Sequence, residues 1–139
     1  MITAVDTNVL LDVFGADPKF GPSSRDALTR CVEQGAILAS DVVWAEVTAA
    51  FPDGDAAESA LDGLGAAYSP SGRPSAIRAG LAWRAYRAAG GPRTRGAADF
   101  LVGTHAQEQA DRLLTRDRGF FRTYFVDLQV LDPSTDQSR

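Results

Sequence analysis

The sequence predicts an α/β domain with a mainly parallel central β-sheet flanked by helices. Three observations predict it. Short apolar runs alternate with helical patterns along the chain. The runs at 2–5, 36–39 and 112–115 read as short buried strands. The length, 139 residues, fits one domain with a proper core, and neither an internal repeat nor a domain linker interrupts it.

In chain order, residues 2–5 form the first expected strand, ending at Asp6. A helix over 9–14 stops at Gly15-Ala16-Asp17-Pro18. Ser23-x-x-Asp26 resembles a capping box and opens a helix that ends at Gly35. The second strand is Ala36 to Ala39. Ser40 or Asp41 caps the next helix, Val42 to Phe51, which Pro52 ends. Residues 55–64 continue as helix, and a short strand is expected near 66–68. After the loop at 69–74, residues 75–89 are helical in propensity, with Ile77, Leu81, Trp83 and Tyr86 as apolar bulk. A flexible basic loop, Gly90-Gly91-Pro92-Arg93-Thr94-Arg95-Gly96, leads into a strong helix pattern over 97–110. A strand follows at 112–115, then a loop with a helical turn to Tyr124, and a last strand at 128–131. The polar tail from Pro133 is expected to be disordered.

Composition narrows the function classes. The net charge is −4, from 14 basic and 18 acidic residues, which argues against simple coating of phosphate. It leaves room for clustered carboxylates acting on a phosphodiester. All basic residues but Lys19 are Arg, a bias that suits bidentate recognition of anions. Cys31 is the only cysteine, so neither an internal disulfide nor a cysteine zinc cluster is available. No apolar run approaches the length of a membrane span, and Asp6 and Asp12 break the N-terminal apolar stretch. The expected location is the cytoplasm.

In a parallel sheet, ligands bind beyond the carboxyl ends of the strands. Four acids fall there. Asp6 follows the first strand. Glu46 lies in the helix after the second, among Val42, Val43, Trp44, Ala45 and Val47. Asp99 is in the first turn of its helix, just after the Arg-containing loop, and Asp117 follows the strand ending at Thr115. The apolar neighbours of Glu46 make its segment look buried, where an unpaired carboxylate is costly. Each acid alone has a structural explanation as a cap, a helix-dipole partner or an Arg pair. Their joint placement at strand exits points to a shared cation. Hard oxygen ligands favour Mg²⁺ or Mn²⁺ over zinc.

The motifs carry a family resemblance. Asp6-Thr7-Asn8-Val9-Leu10-Leu11-Asp12 resembles the opening motif of PIN-domain nucleases. Val43-Trp44-Ala45-Glu46-Val47 resembles their second motif, and Asp99-Phe100-Leu101-Val102-Gly103-Thr104-His105-Ala106 their third. Leu113-Leu114-Thr115-Arg116-Asp117-Arg118-Gly119-Phe120 resembles their fourth. The resemblance runs in order from about residue 2 to 132, and the size is similar to that of VapC-type toxins of bacterial toxin–antitoxin pairs. It implies a PIN-like nuclease domain over 1–132, with 133–139 as the tail.

The resemblance also implies a Mg²⁺- or Mn²⁺-dependent endoribonuclease whose catalytic and metal-holding residues are Asp6, Glu46, Asp99 and Asp117, with Asn8 and Thr115 in support. It implies an RNA substrate, a small antitoxin partner, a homodimer and no membrane. Arg93, Arg95 and Arg116 are candidates for contacts with RNA phosphates. His105, the only histidine, lies about 240° around the helix from Asp99 and is expected to pack rather than react. Phosphatases and receiver domains that place Asp after a first strand also need a downstream Lys, which is missing. The alternative of another class is a PIN-like module that binds RNA or protein without cutting.

Overall fold

The computed structural model describes residues 1–136. Its sheet contains β1 (Thr3–Val5), β2 (Ile37–Ala39), β3 (Ala66–Tyr68), β4 (Arg112–Leu114) and β5 (Val130–Leu131). They lie in the order β3-β2-β1-β4-β5, and every pairing is parallel. Parallel strands need crossovers, and the helices supply them. These are α1 (Thr7–Phe14), α2 (Gly21–Gln34), α3 (Asp41–Ala49), α4 (Gly54–Leu64), α5 (Arg73–Ala88), α6 (Ala97–Gln109), α7 (Arg118–Tyr124) and the single turn α8 (Pro133–Asp136). The expected α/β class and parallel sheet are therefore observed.

The strand order places the site. The chain steps from β1 outward to β2 and β3, then returns to the other side of β1 for β4 and β5. The reversal falls between β1 and β4, and the crevice at such a reversal is where open α/β sheets bind ligands. Val5 stands opposite Leu114, so the next residues, Asp6 and Thr115, leave the sheet side by side. Both central strands are wholly buried, whereas Tyr68 on the edge strand β3 is exposed. Arg112 opens β4 at the opposite end of the sheet. It is buried there, and its Nε donates to Thr3 Oγ1 at 2.9 Å.

Local chemistry fixes most boundaries. Ser40 caps α3, its Oγ accepting from Val43 N at 3.3 Å. Asp53 caps α4 through Ala56 N at 2.8 Å. The start of α2 differs from the sequence expectation. The helix begins at Gly21, before the Ser23/Asp26 pair, with Pro22 in its first turn and no side-chain cap. Ser23 Oγ instead donates to the Phe20 carbonyl at 3.2 Å. The tail also differs. Pro133–Asp136 forms a turn of helix against α2 rather than disordered chain. Asp132 starts it, its Oδ1 accepting from Ser134 N and Oγ at 2.8 and 2.7 Å. The rest of the expected disordered tail, 137–139, lies outside the described residues.

The stretch after β4, expected to be mostly loop, is the helix α7, held by aromatic packing. Phe120 meets both Phe100 of α6 and Tyr86 of α5, Phe125 meets Phe100, and Phe121 packs on Phe120 and Phe125, with ring centroids 5.0–6.4 Å apart. Gly103 of α6 permits this approach: a Cβ there would sit 2.4 Å from the Phe125 ring. Gly103→Ala is therefore expected to destabilise the fold by about 2 kcal/mol, the scale of overpacking a tight core. Urea unfolding checks this, and a variant of parental stability would show that the ring moves freely.

Candidate active site

Asp6 is the buried charge of the site, 9% exposed at the end of β1. It is also the N-cap of α1, with Oδ1 accepting from Thr7 N at 2.8 Å. Its Oδ2 accepts from the Thr115 hydroxyl at 2.7 Å, and Asn8 Nδ2 lies 3.4 Å from the same oxygen. Burial pushes the Asp6 pKa up from 3.8 to about 6. The hydrogen bonds from Thr115 and Thr7 work against that rise, and the charges of Glu46 and Asp117 add to it.

Thr115 joins two of the predicted acids. It is fully buried, and besides its bond to Asp6 its Oγ1 accepts from Asp117 N at 3.0 Å. Asn8 Oδ1 accepts from Arg116 N at 3.2 Å, which ties the start of α1 to the end of β4. The two supporting residues thus lie where they can orient Asp6 and the turn that carries Asp117.

Glu46 is exposed, which corrects the expectation of a buried segment. Only Val43 and Val47, an i,i+4 pair, are buried on α3. The other apolar residues are spread around the helix and do not enclose the carboxylate. Glu46 still faces the site, because Thr7 Oγ1 donates to its Oε1 at 2.7 Å.

Asp99 and Asp117 meet around a cation of the chain itself. Arg95 forks onto Asp117, with Nη1 bonded to Oδ2 and Nη2 donating to Oδ1 at 3.0 Å. Its Nη1 lies 3.7 Å from Asp99 Oδ1, and its guanidinium stacks 4.3 Å from the centre of the Phe120 ring. Asp99 Oδ2 also accepts from Gly96 N at 3.1 Å, so this acid serves its helix terminus too. Among the described residues, no three acidic, imidazole or thiol side chains are gathered closely enough to hold a metal ion. Arg95 pairs with Asp117 beside Asp99, and the Thr7 N–H and Thr115 hydroxyl donate to Asp6.

Of the other basic candidates, Arg93 is exposed in the loop before α6. Arg116 is engaged elsewhere. Its Nε and Nη2 donate to Asp12 at 2.7 and 3.1 Å, and its guanidinium stacks 3.9 Å from the Phe20 ring centre. Asp12 was missed as a functional-site neighbour. It is buried beside Val9 and Leu10 and accepts from Ser24 Oγ at 2.8 Å. An acid in an apolar helical stretch was its signal, the same one applied to Glu46. His105 is buried, with Nε2 3.1 Å from Ser69 Oγ, and burial pushes its pKa down. Its packing role matches expectation.

The profile of the PIN domain matches residues 3–126. The chain belongs to the PIN-domain family. No curated protein sequence matches it significantly. Among solved structures, VapBC2 from Rickettsia felis, bound to a DNA fragment from its promoter, is similar with a TM-score of 0.73 and 21% identity, over 95% of this chain and 98% of that one. VapBC-1 from nontypeable Haemophilus influenzae gives a TM-score of 0.73 and 20% identity, over 97% of this PIN domain and 100% of that chain. FitAcB from Neisseria gonorrhoeae gives 0.69 and 21%, over 97% and 99%. At such identities these likenesses show a shared fold.

The raised pKa of Asp6 has a thermodynamic consequence. The folded PIN domain binds this proton more tightly than the unfolded chain does. Stability is therefore lost as pH rises from about 4 through 6, by on the order of 3 kcal/mol in total. Asp6→Asn removes the charge and keeps the shape. It is expected to be more stable than the parent above pH 7, with the difference shrinking towards pH 4. Denaturant unfolding across this range checks the sign. A variant less stable at every pH would show that the Thr115 hydrogen bond outweighs the burial cost.

Proposed function

We propose that this PIN domain is a Mg²⁺- or Mn²⁺-dependent endoribonuclease that acts as the toxin of a toxin–antitoxin pair. The observation that carries the reading is the buried Asp6 carboxylate at the sheet reversal, electrostatically coupled to Glu46 and Asp117. Family membership and the fold shared with VapBC and FitAcB structures support it.

The donor set suits a hard divalent cation, since the acids and their Thr and Asn neighbours all offer oxygen. The site already draws a cation, the Arg95 guanidinium. Asp6, Glu46, Asp99 and Asp117 would hold the metal, which when bound lowers the pKa of a water and neutralises phosphodiester charge. The chain's own groups prepare the place. Thr115 and Asn8 fix Asp6, Thr7 fixes Glu46, and the Thr115 hydroxyl sets the turn that carries Asp117. Water attacks phosphorus in line, the phosphorus–oxygen bond to the leaving 3′ oxygen breaks, and the products carry a 5′-phosphate and a 3′-hydroxyl.

The partners in this proposal are an RNA substrate, a small antitoxin and a second copy of the chain. The cytoplasm is the proposed location; among the described residues, no helix is long and apolar enough to cross a membrane. One observation favours a second reading, a PIN-like module that binds RNA or protein without cutting: Arg95 lies between Asp99 and Asp117, and among the described residues no three acids are gathered closely enough to hold a metal ion.

A panel of structured RNAs incubated with Mg²⁺, Mn²⁺ or EDTA separates the readings. Metal-dependent cleavage is expected, reduced about a hundredfold or more in Asp6→Asn and in Asp99→Asn. Tight RNA binding by the folded parent, with no cleavage and no metal binding, would establish the second reading. Arg95→Gln is expected to bind Mn²⁺ about three- to tenfold more tightly than the parent by calorimetry, the scale of a partly exposed ion pair. Unchanged or weaker Mn²⁺ binding would show that Arg95 does not compete for the acids.

A further inference from the structure

A cavity of about 370 Å³ opens beside the acidic centre, lined by Trp83, Arg87, Gly91, Arg93 and Arg95. Trp83 and Arg87 belong to α5, and the other three to the loop between α5 and α6. Three of the five lining residues are Arg, and none is acidic. The chain as a whole carries a net charge of −4, so this is a local reversal of sign. Arg95 is shared between the cavity and the acidic centre, lining the one and pairing with Asp117 and Asp99 in the other.

The cavity wall is braced. The Arg87 guanidinium stacks on Trp83, 4.4 Å from its ring centre, which orients a fork of donors without using its hydrogen bonds. The Trp83 indole N–H is buried and has no hydrogen-bond partner among the described residues. Tyr86 holds the loop from below, its hydroxyl donating to the Pro92 carbonyl at 2.8 Å. Gly91 lies directly on that ring, where a Cβ would come within 2.4 Å of it. Arg93 therefore projects from a loop anchored at its base rather than from a free one. Its own side chain is exposed and makes no hydrogen bond or ion pair with the described residues.

We propose that this cavity is an anion subsite that binds a backbone phosphate of the substrate RNA, next to the phosphodiester to be cut. Arg87 and Arg93 supply the donors. Arg95 marks the boundary between the phosphate subsite and the carboxylates. The volume is of the size that small-ligand sites occupy, enough to admit a phosphate with its sugar. The subsite deepens the nuclease reading and rests on it. It also resolves how an acidic protein approaches a polyanion: the attraction is concentrated on one wall of the site.

The test is binding of a short single-stranded RNA of mixed sequence to the full chain in EDTA, read by fluorescence anisotropy over a KCl series. Arg87→Gln with Arg93→Gln is the test variant, since neither residue is in the acidic set. Arg73→Gln with Arg84→Gln removes two exposed charges elsewhere on α5 and is the control. The subsite predicts about tenfold weaker binding in the test variant. Its plot of log affinity against log salt becomes shallower by about 0.7, the contribution of one single-strand phosphate, and the control changes little. Equal losses in both variants, or no loss in either, overturn the subsite. The Mn²⁺ cleavage assay on the parent reads the nuclease proposal separately. Cleavage by the parent with unchanged binding in the test variant rejects the subsite alone. A parent that neither binds nor cleaves RNA rejects both.

Discussion

Asp6 and Thr115 leave adjacent parallel strands at the point where the strand order reverses, and their side chains are hydrogen-bonded at 2.7 Å. Much of the site depends on this contact. A carboxylate in so buried a place loses hydration, and its pKa moves to about 6 despite two hydrogen bonds that oppose the shift. The same carboxylate caps α1, so the strain of burial cannot be relieved without disturbing the start of a helix. Thr115 in turn accepts from Asp117 N, which extends the constraint to the turn after β4. A fold selected for stability alone would not keep a charge there.

The surplus negative charge around Asp6 is balanced by arginines, and each arrives by a different route. Arg95 comes from the loop before α6 and joins Asp99 to Asp117 across two elements. Arg116 follows β4 but turns away to the buried Asp12, where it also covers Phe20. Both guanidiniums rest on an aromatic ring, Phe120 for Arg95 and Phe20 for Arg116, and a weakly hydrated planar cation suits such places better than an ammonium. The near absence of Lys from the chain has a structural reading at these two positions.

The aromatic cluster of Tyr86, Phe100, Phe120 and Phe125 connects these features. It packs α7 onto α5 and α6, provides the ring beneath Arg95, and supports the loop that carries Arg93. Gly91 and Gly103 are small because rings lie against them. The acidic centre and the basic cavity are therefore not independent surfaces. They share one floor of aromatic rings, which fixes the spacing between the carboxylates and the arginines of the cavity.

The α/β class, most of the run of elements and the position of Asp6 and Asp117 after strands were legible in the sequence, because burial periodicity, breakers and strand-terminal polar residues are local signals. The support of Asp6 by Asn8 and Thr115 was given only by the motif resemblance, since Thr115 reaches Asp6 from a distant part of the chain. The burial of Glu46 was misread, since apolar composition does not say which side of a helix meets the core, and only Val43 and Val47 do. Local reading also put the start of α2 at a capping box and left α7 as loop, whereas Pro22 and long-range ring packing decide them. Most of all, sequence could not say which cation meets which anion. Arg95 and Arg116 both stand near acids in the chain, yet one pairs with Asp117 beside Asp99 and the other with the buried Asp12. Tertiary structure made that choice, because ion pairs form between groups that the fold brings within a few ångströms, and residues 95 and 117, or 12 and 116, are neighbours only after the sheet has assembled.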